Sequence, residues 1–380
     1  MAQRVKSDWI LFIAIVVLVS FGLIMMYSVS SVVADLRYGQ STYFLLRQLG
    51  SASVAFLLMM FLKRQDYRQW NKPGWVFYGM GVVIALLFVV LFADPKTHRW
   101  IRLGPLQLQP SELAKPALIL FLAYFVTMRA TAINNRRHTL VPATILLLLL
   151  AGLVVIADLG TAVVLVATAA TVFFVAGLDR RYIAVAFAGA CLFIVLAVLA
   201  KPYRIIRVFG HFDPEFKLAE YFDPTGAWKE RLVRMANSRD PGYHARQSKI
   251  AVGSGGIVGM GMTQGQQKLF YLPEAHTDFI YAVIGEELGL AGCTAVLLAF
   301  LVILWRGMRL ACIAPDDFGR CLALGVTATI VIQAFVNMSV VLDMAPTKGI
   351  PLPMVSYGGS SLVSTLISLG MLLSVNEHAG

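Results

Sequence analysis

About ten apolar runs, most of them roughly 18 residues or longer, constrain the fold of this chain more than any other feature. Hydrophobic residues make up 58% of the sequence and charged residues only 14%. In hydrocarbon a helix satisfies all its own backbone hydrogen bonds, so runs of this length predict transmembrane helices. We predict an all-α polytopic membrane protein with spans near residues 10–27, 44–62, 75–93, 112–128, 140–157, 161–178, 182–200, 278–304, 321–342 and 352–375.

The distribution of basic residues predicts the orientation of these spans. An even number of spans places both termini on one side, and the loops on that side carry about twice as many Lys and Arg residues as the short loops opposite. Both termini are therefore expected in the cytoplasm. The segment 201–277 is expected to form a large extracellular loop between the seventh and eighth spans, within one transmembrane domain over residues 1–380.

Basic residues on the outer side run against this topological preference. The outer loops and their margins carry Arg99, Arg102, Lys115 and Lys348, and the long loop adds further Lys and Arg residues up to Lys268. Their presence favours an anionic ligand at the outer face, with anionic lipid headgroups as the alternative. A nucleic-acid partner is not indicated, because the charges are spread over membrane loops without a recognition motif.

The approach to the eighth span concentrates ionisable residues. A glycine-rich stretch is followed by Glu274, His276 and Asp278 at the start of this span. Two further carboxylates, Glu286 and Glu287, lie within the apolar run. A charged side chain costs about 2.5–3.5 kcal/mol at the centre of a membrane helix, so such residues indicate a functional site by default.

The start of the fourth span carries a second charged pair. Residues 105–110 are expected to form an extended loop, with Ser111 as the N-cap of the helix that follows. Glu112 would then lie in the first turn, where the helix dipole favours a carboxylate, and Lys115 would share its face. Two interpretations stay open: an internal ion pair, or a lysine that contacts an anionic substrate.

Two further polar positions allow both a structural and a functional interpretation. Asp158, between the fifth and sixth spans, is either the N-cap of the sixth helix or a site carboxylate paired with a basic residue. Ser356, with its neighbours Ser360 and Ser361, either lines a polar cavity or belongs to close helix packing through the adjacent glycines.

Five segments, in a fixed order among the spans, carry a family resemblance: RWIRLGPLQLQPSELAK, ADLGTA, QSKIAVGSGG, QQKLFYLPEAHTDFIYAVIGEELG and PTKGIPLPMVSYGGSS. Over nearly the whole chain they resemble the SEDS family of shape, elongation, division and sporulation proteins. GLIMMYS, LPEAHTDF and PTKG are more similar to its FtsW branch, and QSKIA and TQGQQ to its RodA branch; the balance favours FtsW. The segment from His211 to Tyr243 is longer than the usual family pattern.

The resemblance implies a peptidoglycan glycosyltransferase. Such an enzyme polymerises lipid II, the undecaprenyl-pyrophosphate-linked disaccharide pentapeptide, at the outer face of the bacterial cytoplasmic membrane. Its implied partners are a class B penicillin-binding protein and other membrane proteins of cell division or elongation. The family's catalytic aspartate falls at Asp278, and Trp100, Glu112, Lys115 and Asp158 match its other functionally important positions.

The residue chemistry fits such a reaction. A carboxylate serves as the base for the acceptor sugar hydroxyl, and Arg99, Arg102, Lys115, Lys268 and Lys348 are candidates to meet the charge of the departing diphosphate. The spacing of the carboxylates neither requires nor excludes a divalent cation such as Mg²⁺, so the sequence commits to no cofactor or metal ligand. Two rival functions stay open: a flippase for lipid-linked precursors and a scaffold that activates a partner synthase.

Overall fold

The described part of the chain is almost entirely helical. A computed structural model describes residues 8–95, 97–103, 106–212, 243–268, 272, 275–346 and 349–379. In chain order its elements are α1 (Trp9–Tyr38), α2 (Tyr43–Arg64), α3 (Pro73–Ala93), β1 (Ile101–Leu103), β2 (Leu106–Leu108), α4 (Pro110–Met128), α5 (Val141–Ala157), α6 (Leu159–Val175), α7 (Arg180–Leu199), α8 (Pro202–Phe212), α9 (Tyr243–Ser254), α10 (Ile280–Ile313), α11 (Asp317–Val341) and α12 (Gly359–His378).

The predicted polytopic all-α architecture is confirmed. Within the described ranges, nine helices are long and apolar enough to cross a membrane. The predicted sixth span corresponds to α6, a shorter apolar helix of 17 residues. The ten predicted spans therefore match α1 to α7 and α10 to α12. The chain is a multi-pass membrane protein.

The segment predicted as one long loop, 201–277, contains regular structure. Helix α8 follows directly on α7, and α9 packs against α10. Sequence reasoning missed both helices because they are short and not continuously apolar. The part of this segment that is longer than the family pattern lies largely outside the described residues, which resume at Tyr243.

The two ends of the described chain lie at the same end of the helix bundle. Asp8 forms an ion pair of 2.8 Å with Arg306 near the end of α10, and Lys63 at the end of α2 lies 3.6 Å from Glu377 at the end of α12. We call this the terminal end. The opposite end, where α10 begins and where His276 packs against Phe44, is called the site end.

Helices α11 and α12 form the core of the bundle. In the most apolar 18-residue stretch of each of these two helices 83% of the residues are buried, compared with 6% in the corresponding stretch of α7. Helix α11 packs against α4, α6 and α10, and α12 packs against α2. Because α7 packs mainly on α6 and α8, its apolar side chains face outward, as expected of a helix whose environment is lipid.

Helix α10 is broken at Gly289, where the backbone adopts φ 65° and ψ −162°. The glycine-rich segment that follows α9 supplies the missing hydrogen-bond partners: Met260 N donates to Glu286 O, and Leu290 N donates to Gly256 O. A broken helix at membrane depth is tolerated where protein satisfies the freed backbone groups. The glycine-rich approach noted in the sequence is thus the partner of this break.

Gly289 is the position where this arrangement is most sensitive to a side chain. A methyl group there would lie 2.5 Å from Gly259 N and from Ile257 O, on a backbone that favours glycine. We expect Gly289→Ala to destabilise the protein by about 1–3 kcal/mol, as overpacking does. The measurement is the thermal unfolding midpoint of the purified protein in detergent.

Gly50 in α2 is the matched control, because nothing lies within 4 Å of its Cβ position. Gly50→Ala is expected to leave the midpoint unchanged or to raise it slightly, since alanine favours helix. Equal midpoints for the two variants would contradict the tight approach at Gly289.

Candidate functional site

A β-hairpin at the site end and the two residues that precede it include three of the predicted site residues. Strands β1 and β2 pair antiparallel, with Arg102 opposite Gln107. Arg102 is exposed, whereas Arg99 and Trp100, which precede β1, are half-buried. The predicted extended loop over 105–110 is therefore in part the second strand of a hairpin.

The turn before this hairpin is organised by Asp94. Its carboxylate accepts hydrogen bonds from the hydroxyl of Thr97 and from the amides of Thr97, Arg99 and Trp100. These bonds, chiefly the one from the Thr97 hydroxyl, lower the pKa of Asp94 to about 2. Asp94 therefore stays ionised at neutral pH, and its ordering of the turn would be lost only as the pH falls toward 2.

The prediction that Ser111 caps α4 is wrong. The helix begins at Pro110 with Gln109 as its N-cap, and the Ser111 hydroxyl accepts a bond of 3.0 Å from Gln109 Nε2. Proline is favoured at the first helical position because its missing N–H costs nothing there. Glu112 nevertheless lies in the first turn, as expected.

Asp158 caps α6, which was one of the two interpretations, and it also pairs with a basic residue. Its Oδ1 accepts from Gly160 N at 2.9 Å and from Thr161 N at 3.3 Å, which makes it the N-cap of α6. Its Oδ2 forms an ion pair of 3.0 Å with Arg99 Nη2. The carboxylate is buried, so the arginine supplies the opposite charge that burial requires.

A cavity of about 90 Å³ opens beside this ion pair. Its lining includes three arginines and one carboxylate residue, namely Arg99, Arg204, Arg207 and Asp158, together with Gly349. The excess of positive charge suits an anion. Sequence reasoning counted the basic residues of 201–277 but did not single out Arg204 or Arg207; their position directly after an apolar span was the available signal.

Helix α8 brings these arginines to the cavity by docking on the ends of α5 and α7. Arg204 donates to Val155 O at 2.6 Å and to Ala197 O at 2.8 Å, and Lys201 donates to Ile156 O at 3.0 Å. These carbonyls lie in the last turns of α5 and α7, where no intrahelical partner is left for them. The basic side chains therefore satisfy both orphan carbonyls and the negative ends of the helix dipoles.

Asp278 lies two residues before α10 and is half-buried. A methyl group on Gly349 would lie only 2.7 Å from Asp278 Oδ2, so the carboxylate is in close contact with the backbone at that glycine. Gly349 also lines the arginine cavity, so the Asp278 carboxylate lies beside this cavity although Asp278 does not belong to its lining.

Glu112 and Lys115 form the internal ion pair that was one of the two interpretations. The distance from Lys115 Nζ to Glu112 Oε2 is 2.7 Å, and both side chains are buried. Lys115 Nζ also donates to Gln333 Oε1 at 2.7 Å. The lysine is thus turned toward α11, and it does not line the arginine cavity.

Lys268 is also engaged within the protein. It pairs with Glu287 at 2.6 Å and donates to Ser28 of α1, and all three side chains are buried. Glu286 accepts from the backbone amides of Gln266 and Gln267. These contacts hold the glycine-rich segment against the broken helix, so Lys268 faces a carboxylate in the interior rather than the cavity.

The serines near the last helix serve packing. Ser356 accepts from Leu352 N at 2.8 Å and is buried in its own turn, while Ser360 bonds to the hairpin backbone at Gln107 O. A methyl group at Gly359 would lie 2.7 Å from Ser51 Oγ of α2. The structure favours helix packing over the cavity interpretation for Ser356, which does not line the arginine cavity.

Two predicted residues, Lys348 and Glu274, lie outside the described residues. Within the described ranges, no group of three or more His, Cys, Asp or Glu residues comes together to hold a metal ion. None of the four cysteines forms a disulfide; Cys293 and Cys321 are buried, whereas Cys191 and Cys312 are exposed.

Comparison with known proteins identifies the family. Residues 8–380 match the model of the cell cycle proteins FtsW, RodA and SpoVE. The chain belongs to this family. It is 39% identical to the probable peptidoglycan glycosyltransferase FtsW of Geobacter metallireducens, over 98% of this chain and 95% of that protein. It is 38% identical to the stage V sporulation protein E of Bacillus subtilis, over 99% of both chains.

Solved structures agree with this membership. One is a chain of a peptidoglycan synthase complex that coordinates polymerization and crosslinking, with a TM-score of 0.74, 28% identity and coverage of 98% of both chains. Another is the rod shape determining protein RodA of Thermus thermophilus, with a TM-score of 0.68, 26% identity and coverage of 98% and 97%. The SEDS resemblance stated from the motifs is confirmed.

The two roles of Asp158 can be separated by substitution. Asparagine caps helices as well as aspartate does, so Asp158→Asn is expected to keep the N-cap and to lose only the charge opposite Arg99. Asp158→Ala loses both, and should be less stable than Asp158→Asn by about 1 kcal/mol. Thermal unfolding in detergent provides the comparison, and equal stability of the two variants would argue against the capping role.

Proposed function

We propose that this protein is a peptidoglycan glycosyltransferase that polymerises lipid II into glycan strands. The observation that carries the proposal is the contact of Asp278 with Gly349, a residue that also lines a cavity containing three arginines. A base and a group of cations beside one another are what glycosyl transfer from a lipid diphosphate requires. The names of the relatives support the same activity.

In the proposed reaction Asp278 removes the proton from the 4-hydroxyl of the acceptor sugar. The hydroxyl oxygen attacks the anomeric carbon of the donor, whose transition state has oxocarbenium character. The bond from that carbon to the diphosphate oxygen breaks, and the lipid diphosphate leaves with the electron pair. Arg99, Arg204 and Arg207 would stabilise the negative charge that develops on it.

A divalent cation such as Mg²⁺ stays a prediction in this scheme. Asp158, which lines the cavity, or Asp278, which contacts Gly349 beside it, would hold such a cation, and the cation would offset negative charge on the departing diphosphate. Arg102, exposed on the hairpin, and Lys348 are further candidates to contact the lipid diphosphate.

We place the protein in the bacterial cytoplasmic membrane, with the terminal end in the cytoplasm and the site end outside. The excess of Lys and Arg in the loops at the terminal end supports this orientation. Lipid II would then be polymerised on the outer side by this chain, in complex with a class B penicillin-binding protein that crosslinks the glycan. FtsW-named relatives support a role in division, although the RodA-like motifs leave elongation as the alternative.

A flippase would need a polar path between the two ends of the bundle. The described buried residues of α4, α11 and α12 between the Lys115 pair and the terminal end carry no charge, and their polar groups are hydroxyls and amides, as in Ser368 and Asn376. This distribution favours an enzyme with its polar site at one membrane face over a transporter.

Asp278→Asn is the first test of the proposed activity. Loss of the base is expected to lower lipid II polymerisation by about 100-fold or more, within the range of general-base catalysis. The assay is polymerisation by the purified protein, alone and with its class B partner. Asp35→Asn, an exposed carboxylate near the site end of α1, is the control and should retain full activity.

Mixing the Asp278→Asn protein with the wild-type partner tests the scaffold alternative. If this chain supplies the glycosyl transfer, the mixture makes little glycan although the complex still forms. Full glycan synthesis by that mixture would refute the enzyme and leave an activator.

Arg207→Gln tests the anion site. A charge-assisted contact is worth about 1.5–3 kcal/mol, so its removal should weaken lipid II binding by roughly 10-fold or more. Arg181→Gln is the control, an exposed arginine at the opposite end of α7, and should bind normally. Equal losses in both variants would indicate a general attraction to the lipid surface instead.

A further inference from the structure

Two amide side chains lie one turn apart in α11, a helix otherwise lined with apolar and hydroxyl residues. Gln333 and Asn337 are spaced i, i+4, so they share a face of the helix. Both are buried. A buried amide is costly unless it is hydrogen-bonded, so its partners indicate why it is there.

The partners of Asn337 lie on both sides of the site. Its Nδ2 donates to Asp278 O at 2.8 Å and to Ile350 O at 2.7 Å. One amide group thus joins the backbone of the proposed base to the backbone of the loop that lines the cavity. The contact between Gly349 and the Asp278 carboxylate lies directly beside this junction.

Gln333 fixes the next residue of the same loop. Its Nε2 donates to Pro351 O at 2.8 Å, while its Oε1 accepts from Lys115 Nζ at 2.7 Å. Lys115 in turn is held by Glu112. The lysine can bond only to the amide oxygen, so it fixes which end of the Gln333 amide points at the loop.

The loop needs these donors because, among the described residues, its own backbone bonds begin only at Leu352, whose carbonyl accepts from Val355 N and Ser356 N. Residues 349–352 run Gly-Ile-Pro-Leu without helical structure, and Pro351 has no N–H. Non-helical backbone at membrane depth persists only where the protein satisfies it. Gln333 and Asn337 satisfy two successive carbonyls and thereby set the position of Gly349.

We propose that Gln333 and Asn337 are positioning residues, which fix the position of Asp278 relative to the Gly349 loop. The buried Lys115–Glu112 pair acts through Gln333 rather than on the substrate. The inference rests on the proposed glycosyltransferase activity. It accounts for a buried ion pair that stands near the site without lining its cavity.

The test separates turnover from binding in Asn337→Leu, Gln333→Leu and Lys115→Met. Each is expected to lower kcat for lipid II polymerisation by about 100-fold, the loss that a displacement of about 1 Å causes, with the Kd for lipid II changed less than about twofold. Thr329→Val is the matched control, because Thr329 lies one turn from Gln333 in α11 and its buried hydroxyl bonds to Thr168 of α6, outside this network. This variant should keep wild-type kcat.

The double variant Lys115→Met with Gln333→Leu distinguishes the two roles of the lysine. Residues that act as one unit are not additive, so the double variant should be no slower than the slower single variant. Additive losses together with a lipid II Kd raised 10-fold or more by Lys115→Met would overturn the proposal, because the lysine would then contact the substrate directly.

The same set of variants also includes controls for misfolding and for the proposed function itself. Gln333→Met and Asn337→Ser replace the leucine variants if those do not purify as monodisperse protein. Wild-type protein that fails to polymerise lipid II would count against the proposed function itself. An active wild type with unaffected Asn337 and Gln333 variants would overturn the positioning role alone.

Discussion

Backbone hydrogen bonding governs this molecule, because hydrocarbon offers no water to an unpaired N–H or C=O. Most of the described chain meets this condition by being helical. Two segments at the site end do not: the glycine-rich stretch after α9 and the loop before α12. Each survives because another part of the protein supplies partners, the broken turn of α10 at Gly289 in the first case and the amides of α11 in the second.

The same condition explains where the site lies. Irregular backbone brings peptide groups and short side chains into the bundle, and these leave room that a regular helix would fill. Gly349 is in contact with the Asp278 carboxylate because it has no side chain, and Gly349 also lines the cavity. The groups to which we assign catalysis and binding thus gather where the helices are interrupted, and the continuous helices act as the rigid scaffold.

Buried charges are the second constraint, and each described one has an opposite charge or several polar partners. Arg99 neutralises Asp158, Lys115 neutralises Glu112, and Lys268 neutralises Glu287. Removal of one member would leave an uncompensated charge in a medium of low dielectric constant. Only the Arg99–Asp158 pair lines the cavity. A charged residue can therefore lie near the site without being placed to contact a substrate.

The sequence by itself determined the spans and the sharing of a helix face by Glu112 and Lys115, and it offered Asp158 as one possible cap, because hydropathy, helical spacing and caps are local properties. The tertiary structure decided which residue each charge meets. Arg99 and Asp158 are 59 positions apart, and Lys115 and Gln333 are 218 apart. No local pattern encodes such pairings, since they arise only when helix packing brings distant faces together. For that reason sequence reasoning directed Lys115 and Lys268 to a ligand, whereas packing gave them protein partners.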